Sequence, residues 1–161
     1  MRRMMVLPLM LVTAAVFVAI GTASPSSAGM ATGAVAYEGF GTVSIALMAQ
    51  GSPEAASGRM QFRRDVEGEG FDANSGGPVT CYLQVGNRGY FAGEFARTFF
   101  SGPTEIRFFN GIVVDGDALG EADQAFVTLG ADRPIPCDDP GTMAFLDSVS
   151  RPVVRGNIIV H

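Results

Sequence analysis

Histidine is nearly absent from this sequence: the one histidine is His161, the last residue. A Ser–His–Asp triad would have only this terminal residue as its general base, and a His-ligated zinc site would lack its other imidazoles. A glycine-rich phosphate loop followed by a helix is also missing. The sequence therefore offers no catalytic set, and we predict a protein that is not an enzyme and uses no cofactor.

Lysine is absent altogether: all eleven basic residues are arginine, against sixteen acidic residues, and the formal net charge is −5. The phosphate backbone of nucleic acids repels a chain with this balance. We therefore expect no nucleic-acid partner. The lack of lysine, together with many Ala, Gly and Val residues, is typical of a bacterial protein from a GC-rich genome.

Long apolar runs are limited to Met4–Ile20, which follows two arginines near the N-terminus. A run of this length is short for a transmembrane helix. Small residues come next and end in a plausible cleavage site, which is the layout of a secretory signal peptide. We predict a signal peptide over residues 1–28, with cleavage after Ala23 as the alternative, and a single exported domain over residues 29–161.

Cysteine occurs twice, at Cys81 and Cys137. In an exported chain, an even number of cysteines most simply indicates a disulfide. The loop-entropy model assigns about 4 kcal/mol to a loop of this length. A redox or nucleophilic thiol would need a CxxC pair or a nearby histidine, and the sequence has neither. We predict the disulfide and a location outside the cell or in the cell envelope, with membrane contact only through the signal peptide before cleavage.

Tryptophan is absent, and no stretch after Ala28 keeps a helical period for three turns. Apolar and polar residues instead alternate repeatedly between breakers such as "NSGGP" and "GNRG", which is the pattern of β-strands. One apolar face on each strand favours antiparallel pairing. We predict an all-β fold: a single antiparallel β-barrel or β-sandwich of about eight or nine strands. The missing Trp disfavours an immunoglobulin-type core, and only "GTMAFLDSVS" is predicted to hold a short helical turn.

Three strands carry specific expectations about burial. "TVSIALMAQ" places Val43, Ile45 and Leu47 on one face. "VTCYLQV" is predicted to place Val79, Cys81, Leu83 and Val85 on one face and Thr80, Tyr82 and Gln84 on the other. The closing strand, "RPVVRGNIIV", is predicted to pair inside the sheet. Its two faces are predicted to carry Val154, Ile158 and Val160 on one side, and Arg155, Asn157 and Ile159 on the other.

The stretch "VVDGDALGEAD" is rich in acidic residues. An EF-hand loop that begins at Asp115 would place two side-chain ligands at Leu119 and Phe126, which cannot supply them. The interpretation that we favour is an Asp/Gly turn between two strands, whose carboxylates cap backbone N–H groups and face water. No metal site is therefore predicted. The alternative is an irregular calcium loop with the ligands Asp115, Asp117, Glu121 and Asp123.

Aromatic residues crowd the middle of the chain, and most are expected in the core. The two "FF" pairs place one ring on each face of an extended chain, so some rings are candidates for a ligand or partner surface. The crowded aromatic residues are Tyr82, Tyr90, Phe91, Phe95, Phe99, Phe100, Phe108 and Phe109.

Three short motifs occur in a fixed order: "VGN" at the end of one strand, an Asp-Gly turn before "EADQAFVTLG", and a closing "GNIIVH". In this the chain resembles small secreted bacterial β-domains of the post-COAP type, over roughly residues 33–161. The resemblance implies an all-β extracellular domain without an established reaction. It also implies that Asn87, Asp115 and Asn157 are turn residues and that His161 is a strand-end residue. The motifs are carried by Val85, Gly86 and Asn87, by Val113, Asp115, Gly116 and Asp123, and by Gly156, Asn157, Ile158 and His161.

Export, the β-strand pattern, the acidic balance and the missing catalytic set together predict a non-enzymatic binding or interaction module at the cell envelope or outside the cell. Its ligand or partner is not indicated by any motif. Two alternatives belong to other classes. One is a barrel-type enzyme with an unrecognised site, which a deep cavity with polar groups would favour. The other is a self-associating structural or accessory protein, which a long unprotected edge strand would favour.

Overall fold

The structure is a computed structural model that describes residues 28–39, 41–65, 73–98, 104–117 and 120–161. It contains eight strands and one helix. Each strand pairs antiparallel with the next, and β8 pairs with β1, so that the sheet closes into a barrel. The predicted all-β fold is confirmed, and the barrel is the form it takes. In chain order the elements are β1 (Gly29–Gly39), β2 (Gly41–Gly51), β3 (Ser57–Asp65), β4 (Ala73–Val85), β5 (Arg88–Thr98), β6 (Thr104–Val114), β7 (Gln124–Ala131), α1 (Pro140–Val149) and β8 (Arg151–Val160).

The predicted signal peptide (residues 1–28) lies outside the described residues except for Ala28. Strand β1 begins at the next residue, Gly29. Among the helices of the described ranges, none is both long enough and apolar enough to cross a membrane.

The interior of the barrel is a packed apolar core. Successive side chains of a strand point to opposite faces, so every second residue of each strand faces inward. In β2 the inward residues are Val43, Ile45 and Leu47, which are all buried, as the alternation predicted. They belong to one continuous cluster of Ala31, Val35, Tyr37, Val43, Ile45, Leu47, Ala49, Met60, Phe62, Val79, Tyr82, Phe91, Phe95, Phe109, Val113, Ala125, Val127 and Ile158.

In β4 the faces differ from those that simple alternation predicts. The register with β5 shifts between Val79 and Cys81, which makes Thr80 the extra residue of a β-bulge. As a consequence, Val79 and Tyr82 both lie in the interior, whereas Cys81 and Leu83 pack outside the barrel. A bulge inserts one residue into a strand and so reverses the faces beyond it.

In β8 the prediction is confirmed for Ile158, which is buried, and wrong for Val154, which is 58% exposed. The register with β1 jumps from Arg155 to Val153, so Val154 is skipped and turns outward. Strand β8 lies between β1 and β7, as expected for a segment that pairs inside the sheet.

Outside the barrel, α1 and the loop before it cover part of β4–β6. The helix has ten residues and is longer than the predicted helical turn. Asp139 caps it by accepting a hydrogen bond from the Thr142 N–H (2.7 Å), and Pro140 occupies its first turn, where its missing N–H does no harm. Only Leu146 of α1 is buried, which explains why the sequence shows no sustained helical period.

The predicted disulfide is confirmed. Cys81 of β4 is bonded to Cys137, which lies just before α1, and their Cα atoms are 5.7 Å apart. The bond fastens the proline-rich loop and the helix to the outer wall of the barrel. It belongs to a second apolar cluster that also contains Tyr90, Ala92, Ile112, Val114 and Leu146.

Candidate functional site

The acidic turn connects β6 to β7. It brings three carboxylates together: one oxygen of each of Asp115, Asp117 and Asp123 lies within 4.8 Å of the others. Glu121, the fourth ligand of the calcium alternative, is exposed and stands outside this group. Of the residues that the structure describes, these three carboxylates are the group that could hold a cation.

Asp123 is buried and is held by backbone donors on both sides. Its Oδ1 accepts a hydrogen bond from the Gly116 N–H (3.0 Å), and its Oδ2 accepts one from the Ile158 N–H (2.9 Å). Its main-chain oxygen accepts a third hydrogen bond, from the Val153 N–H (2.8 Å). A buried carboxylate needs such partners, because burial without them is costly. Asp123 therefore ties the turn to itself and to β8.

Asp115 makes a similar connection further along the last strand. Its Oδ2 accepts a hydrogen bond from the Val160 N–H (3.3 Å), and its Oδ1 accepts one from the Asp117 N–H (3.2 Å). Asn87, in the turn between β4 and β5, donates its side-chain N–H to the Asp115 carbonyl (2.6 Å). The turn is thus held by hydrogen bonds on both sides. All four carboxylate oxygens of Asp115 and Asp123 accept a hydrogen bond from a backbone N–H group.

These hydrogen bonds complete the closure of the barrel. Strands β7 and β8 pair at only two positions, Gln124 with Pro152 and Ala125 with Arg151. Beyond them, the edge of β8 faces the acidic turn and not a strand. The two aspartate side chains supply the acceptors that a strand would otherwise provide, so the arrangement satisfies backbone groups that would be unpaired at an open edge.

The barrel interior contains two tyrosine hydroxyls. The Tyr37 hydroxyl accepts a hydrogen bond from the Val127 N–H (3.1 Å), and burial raises the pKa of Tyr37 to about 12. The Tyr82 hydroxyl has no partner among the described residues, and burial raises the pKa of Tyr82 as well. Both rings belong to the apolar core cluster, and within the described ranges neither hydroxyl is hydrogen-bonded to an acidic or basic side chain.

A third tyrosine lies under α1. The Tyr90 hydroxyl donates to the Asp147 carboxylate (2.9 Å), and Arg88 lies 3.4 Å from the same carboxylate. Burial, followed by the hydrogen bond and the charge of Asp147, raises the pKa of Tyr90. This group fastens the helix to β5.

The crowded aromatic residues are mainly core residues. Tyr82, Phe91, Phe95 and Phe109 fill the barrel, and Tyr90 is covered by α1. Phe108 is half-buried, and Phe99 and Phe100 lie outside the described residues. The one exposed aromatic ring in the described part of the chain is Phe145 of α1, so these ranges contain no aromatic patch.

The motif residues at the chain end occupy strand positions. His161 is exposed, and its backbone pairs in both directions with that of Met30. Asn157 is an exposed residue of strand β8, opposite Ala34 of β1, so its expected turn position is wrong. Within the described ranges, no base–nucleophile pair includes His161.

The outer surface of β3, β2, β1 and β8 carries a groove that sequence analysis missed; we call it the outer groove. Its floor consists of small residues of the two middle strands, and its walls are longer side chains of the two outer strands. The groove is open to solvent and has a volume of about 360 Å³. The floor is formed by Ala34, Ala36, Ser44 and Ala46, one wall by Gln61 and Arg63, and the other by Arg155.

Register places these residues in rows across the four strands. In one row, Ser44 and Ala36 separate Arg63 from Arg155. The next row toward the acidic end of the groove contains Thr42, between Asp65 and Glu38. Two rows away in the opposite direction, Met48 and Ile159 lie on either side of Thr32.

The same surface carries several exposed apolar side chains among its charged and amide residues. Seven large hydrophobic residues of the described ranges are exposed, and four of them lie on the outside of β8, β1 and β2. Met48 is the most exposed of the seven, at 59%. We call this surface, with the outer groove, the outer face. Its four exposed apolar residues are Met30, Met48, Val154 and Ile159.

The sequence contains the components of this face but not their assembly. In the sequence, the pattern of small residues indicates only the solvent-facing side of a strand. These residues are Ala34 and Ala36 in β1, and Ser44 and Ala46 in β2. Only the closure of β8 onto β1 places Arg155 opposite Arg63. Comparisons of this chain with protein-family models, with curated proteins and with solved structures found no match.

Proposed function

We propose that this protein is an exported, non-enzymatic binding module, and that its partner docks on the outer face of β3, β2, β1 and β8. The observation that carries the proposal is the concentration of four exposed large hydrophobic residues around a groove on one side of the barrel. Met30, Met48 and Ile159 lie at one end of this face and Val154 at the other, and exposed apolar side chains that gather on one face of a protein are typical of interaction sites.

The rest of the barrel supports the same function. Its interior is filled with apolar side chains, which is the core of a rigid scaffold and not the polar cavity that the enzyme alternative would favour. The disulfide fits an oxidising compartment, in agreement with export to the extracellular space or the cell envelope.

A substitution on the groove floor tests this proposal. Ala34 is exposed, so Ala34→Arg would place a long side chain in the groove without disturbing the core. Ala96 is an exposed alanine of β5, away from the outer face, and Ala96→Arg is the matched control. We expect the purified protein and Ala96→Arg to co-sediment with an envelope fraction from the producing cells, and Ala34→Arg to lose most of this retention.

Equal retention of all three proteins, or retention of none, would contradict docking on the outer face. The self-association alternative predicts something different: a concentration-dependent dimer in sedimentation equilibrium that Ala34→Arg abolishes. Circular dichroism of each variant confirms that the fold is unchanged.

A further inference from the structure

The disulfide fastens to the barrel a segment that takes no part in strand pairing. Residues 132–149, which we call the strap, run from the end of β7 through Cys137 to the end of α1. The strap connects β7 to β8, which are neighbours in the closed sheet, so the order of the strands does not depend on where the strap lies. Its position on the outer wall is therefore set by side-chain contacts and by the bond from Cys137 to Cys81.

The strap covers apolar side chains on the outside of β5 and β6. Tyr90 and Ile112 oppose each other in the pairing of these strands, and both are almost completely buried. They pack against Leu146 of α1 and not in the interior of the barrel. Side chains on the outside of a barrel wall would face solvent without such a cover. We call this surface the covered patch; its residues are Tyr90, Ala92, Ile112 and Val114.

The noncovalent contacts of α1 with the barrel are limited. Leu146 is its one buried residue, and the neighbouring Phe145 is 50% exposed. Asp147 accepts the hydrogen bond of Tyr90 and lies 3.4 Å from Arg88, in an ion pair whose side chains are 41% and 49% exposed. Ion pairs of this exposure contribute little, and a helix of ten residues is marginally stable without tertiary contacts. The covalent bond is therefore a main attachment of the strap.

The interior of the barrel does not rely on the strap. The buried residues of the interior and those under α1 form two clusters, and among the described residues Phe126 alone packs against both. The hydrogen bonds of Asp123 that complete the closure join the acidic turn to β8 and do not involve the strap. Parts of a protein with few buried contacts open locally while the rest stays folded. We therefore expect that the strap can leave the wall while the eight strands remain paired.

We infer that the Cys81–Cys137 bond is a redox-operated clasp: its reduction by a dithiol releases the strap and exposes the covered patch while the barrel stays closed. A thiolate of the dithiol attacks the sulfur of Cys81, which is half-buried, and the buried Cys137 leaves as a thiolate. The second thiol of the reductant then displaces Cys81 from the mixed disulfide. Two electrons and two protons pass to the cysteine sulfurs, and the dithiol is oxidised to its own disulfide.

The clasp controls a side of the barrel that the outer face does not include, because the outer face lies on β3, β2, β1 and β8. The disulfide-bonded protein exposes the outer face and hides the covered patch. The reduced protein exposes both apolar surfaces. The inference goes beyond the proposed function and does not depend on it, since envelope retention is a property of the disulfide-bonded form.

Hydrogen exchange of the disulfide-bonded protein and of the protein in excess dithiothreitol tests the release. The Met143 and Ser150 amides are hydrogen-bonded within α1 to the carbonyls of Asp139 and Leu146. After reduction, we expect both to exchange within about tenfold of the rate of an unfolded chain, while amides in the pairing of β2 with β3 stay at least roughly a hundredfold slower than that rate. Helix amides that keep their protection would refute the release, and a loss of protection in β2 and β3 would refute a barrel that stays closed.

A pair of variants tests whether docking of the strap is coupled to the redox state. If the strap is docked only while the disulfide is present, weaker docking must favour the reduced protein. Leu146→Ala removes the one buried side chain of α1 and should shift the equilibrium in a dithiothreitol redox buffer at least about tenfold toward the reduced form. Phe145→Ala is the matched control from the same helix and should leave the equilibrium unchanged. An unshifted equilibrium in Leu146→Ala would show that the helix stays docked after reduction, against the inference.

A dye that fluoresces on exposed apolar surface, anilinonaphthalene sulfonate, locates the surface that reduction exposes. We expect its fluorescence to rise severalfold on reduction of the parent protein. The rise should be the same in Ala34→Arg, in which the outer groove is blocked. No rise in either protein would show that the patch stays covered, and a rise confined to the parent would place the dye on the outer face; each result would overturn the clasp.

Discussion

Replacing Asp123 by alanine should destabilise the barrel strongly, although Asp123 lies in a turn. The residue is 8% exposed, and its carboxylate accepts hydrogen bonds from the N–H groups of Gly116 and Ile158 at 3.0 and 2.9 Å. A hydrogen bond to a charged group contributes about 1.5–3 kcal/mol, and a buried donor left without a partner costs a similar amount. Since the two bonds share one desolvated carboxylate, we expect a loss of about 3–5 kcal/mol, a large part of a typical stability.

Asp123→Asn tests whether both carboxylate oxygens are needed as acceptors. Asp123→Asn keeps one acceptor oxygen but turns an NH₂ group toward the second backbone donor, so we expect a loss of about 2–3 kcal/mol. Glu121→Ala is the matched control from the same turn: its side chain is exposed, and its removal should change stability by less than about 0.5 kcal/mol.

Urea unfolding followed by circular dichroism, with the disulfide intact, measures these differences. Hydrogen exchange adds a local observation, because the Ile158 amide should exchange faster in Asp123→Ala than amides in the pairing of β2 with β3. A loss below about 1 kcal/mol in Asp123→Ala, or an equal loss in Glu121→Ala, would refute the view that carboxylates close the barrel.

The remaining predictions concern the core, the disulfide, the tyrosines and calcium. Ile158→Ala should cost about 2–5 kcal/mol in urea unfolding, because this side chain is 1% exposed, and a cost under about 1 kcal/mol would place it outside the core. The double variant of Cys81 and Cys137 to serine should lose about 4 kcal/mol, and an unchanged midpoint would contradict the loop-closure argument. All three tyrosines have raised pKa values; for Tyr37 the folded pKa of about 12 lies above the ordinary 10, so its contribution to stability is complete below pH 10 and is lost as the pH rises toward 12. Phenolate absorbance should therefore appear together with unfolding, and ionisation near pH 10 in the folded state would show the rings to be accessible. Calcium or a chelator should leave the melting temperature unchanged, whereas a saturated site would add roughly 2.7 kcal/mol, an effect that Asp117→Asn would then diminish.

Much of the barrel follows from local pattern. Strict alternation is enough to place Val43, Ile45 and Leu47 inside, because a strand with one apolar face must bury it. The same rule fails at Thr80 and Val154, where a bulge adds a residue and reverses or displaces the faces. A bulge depends on how two strands fit together, which the sequence of one strand does not reveal.

The candidate surfaces were harder to predict for a related reason. The turn interpretation predicts carboxylates that cap backbone N–H groups and face water. Asp123 does accept a hydrogen bond from a backbone donor of its own turn, the Gly116 N–H, but it is buried and does not face water. The other donor, Ile158, lies 35 residues away and becomes a neighbour only when the barrel closes. The outer groove is likewise a product of register across four strands, so Arg63 and Arg155 could not be paired before the closure of β8 onto β1 was known.

The pairing of the first strand with the last has a consequence for folding. Ala31 opposes Val160, so this contact joins residues at nearly the two ends of the domain. Forming this contact closes a long loop and so reduces the entropy of the chain. Proteins whose strand pairings join residues far apart in sequence fold slowly, in milliseconds to seconds. Without β8, the other seven strands would leave two sheet edges, of β1 and β7, without a partner strand, and unpaired edges promote aggregation. A chain stalled before its final ten residues should therefore depend on a chaperone far more than the completed barrel does.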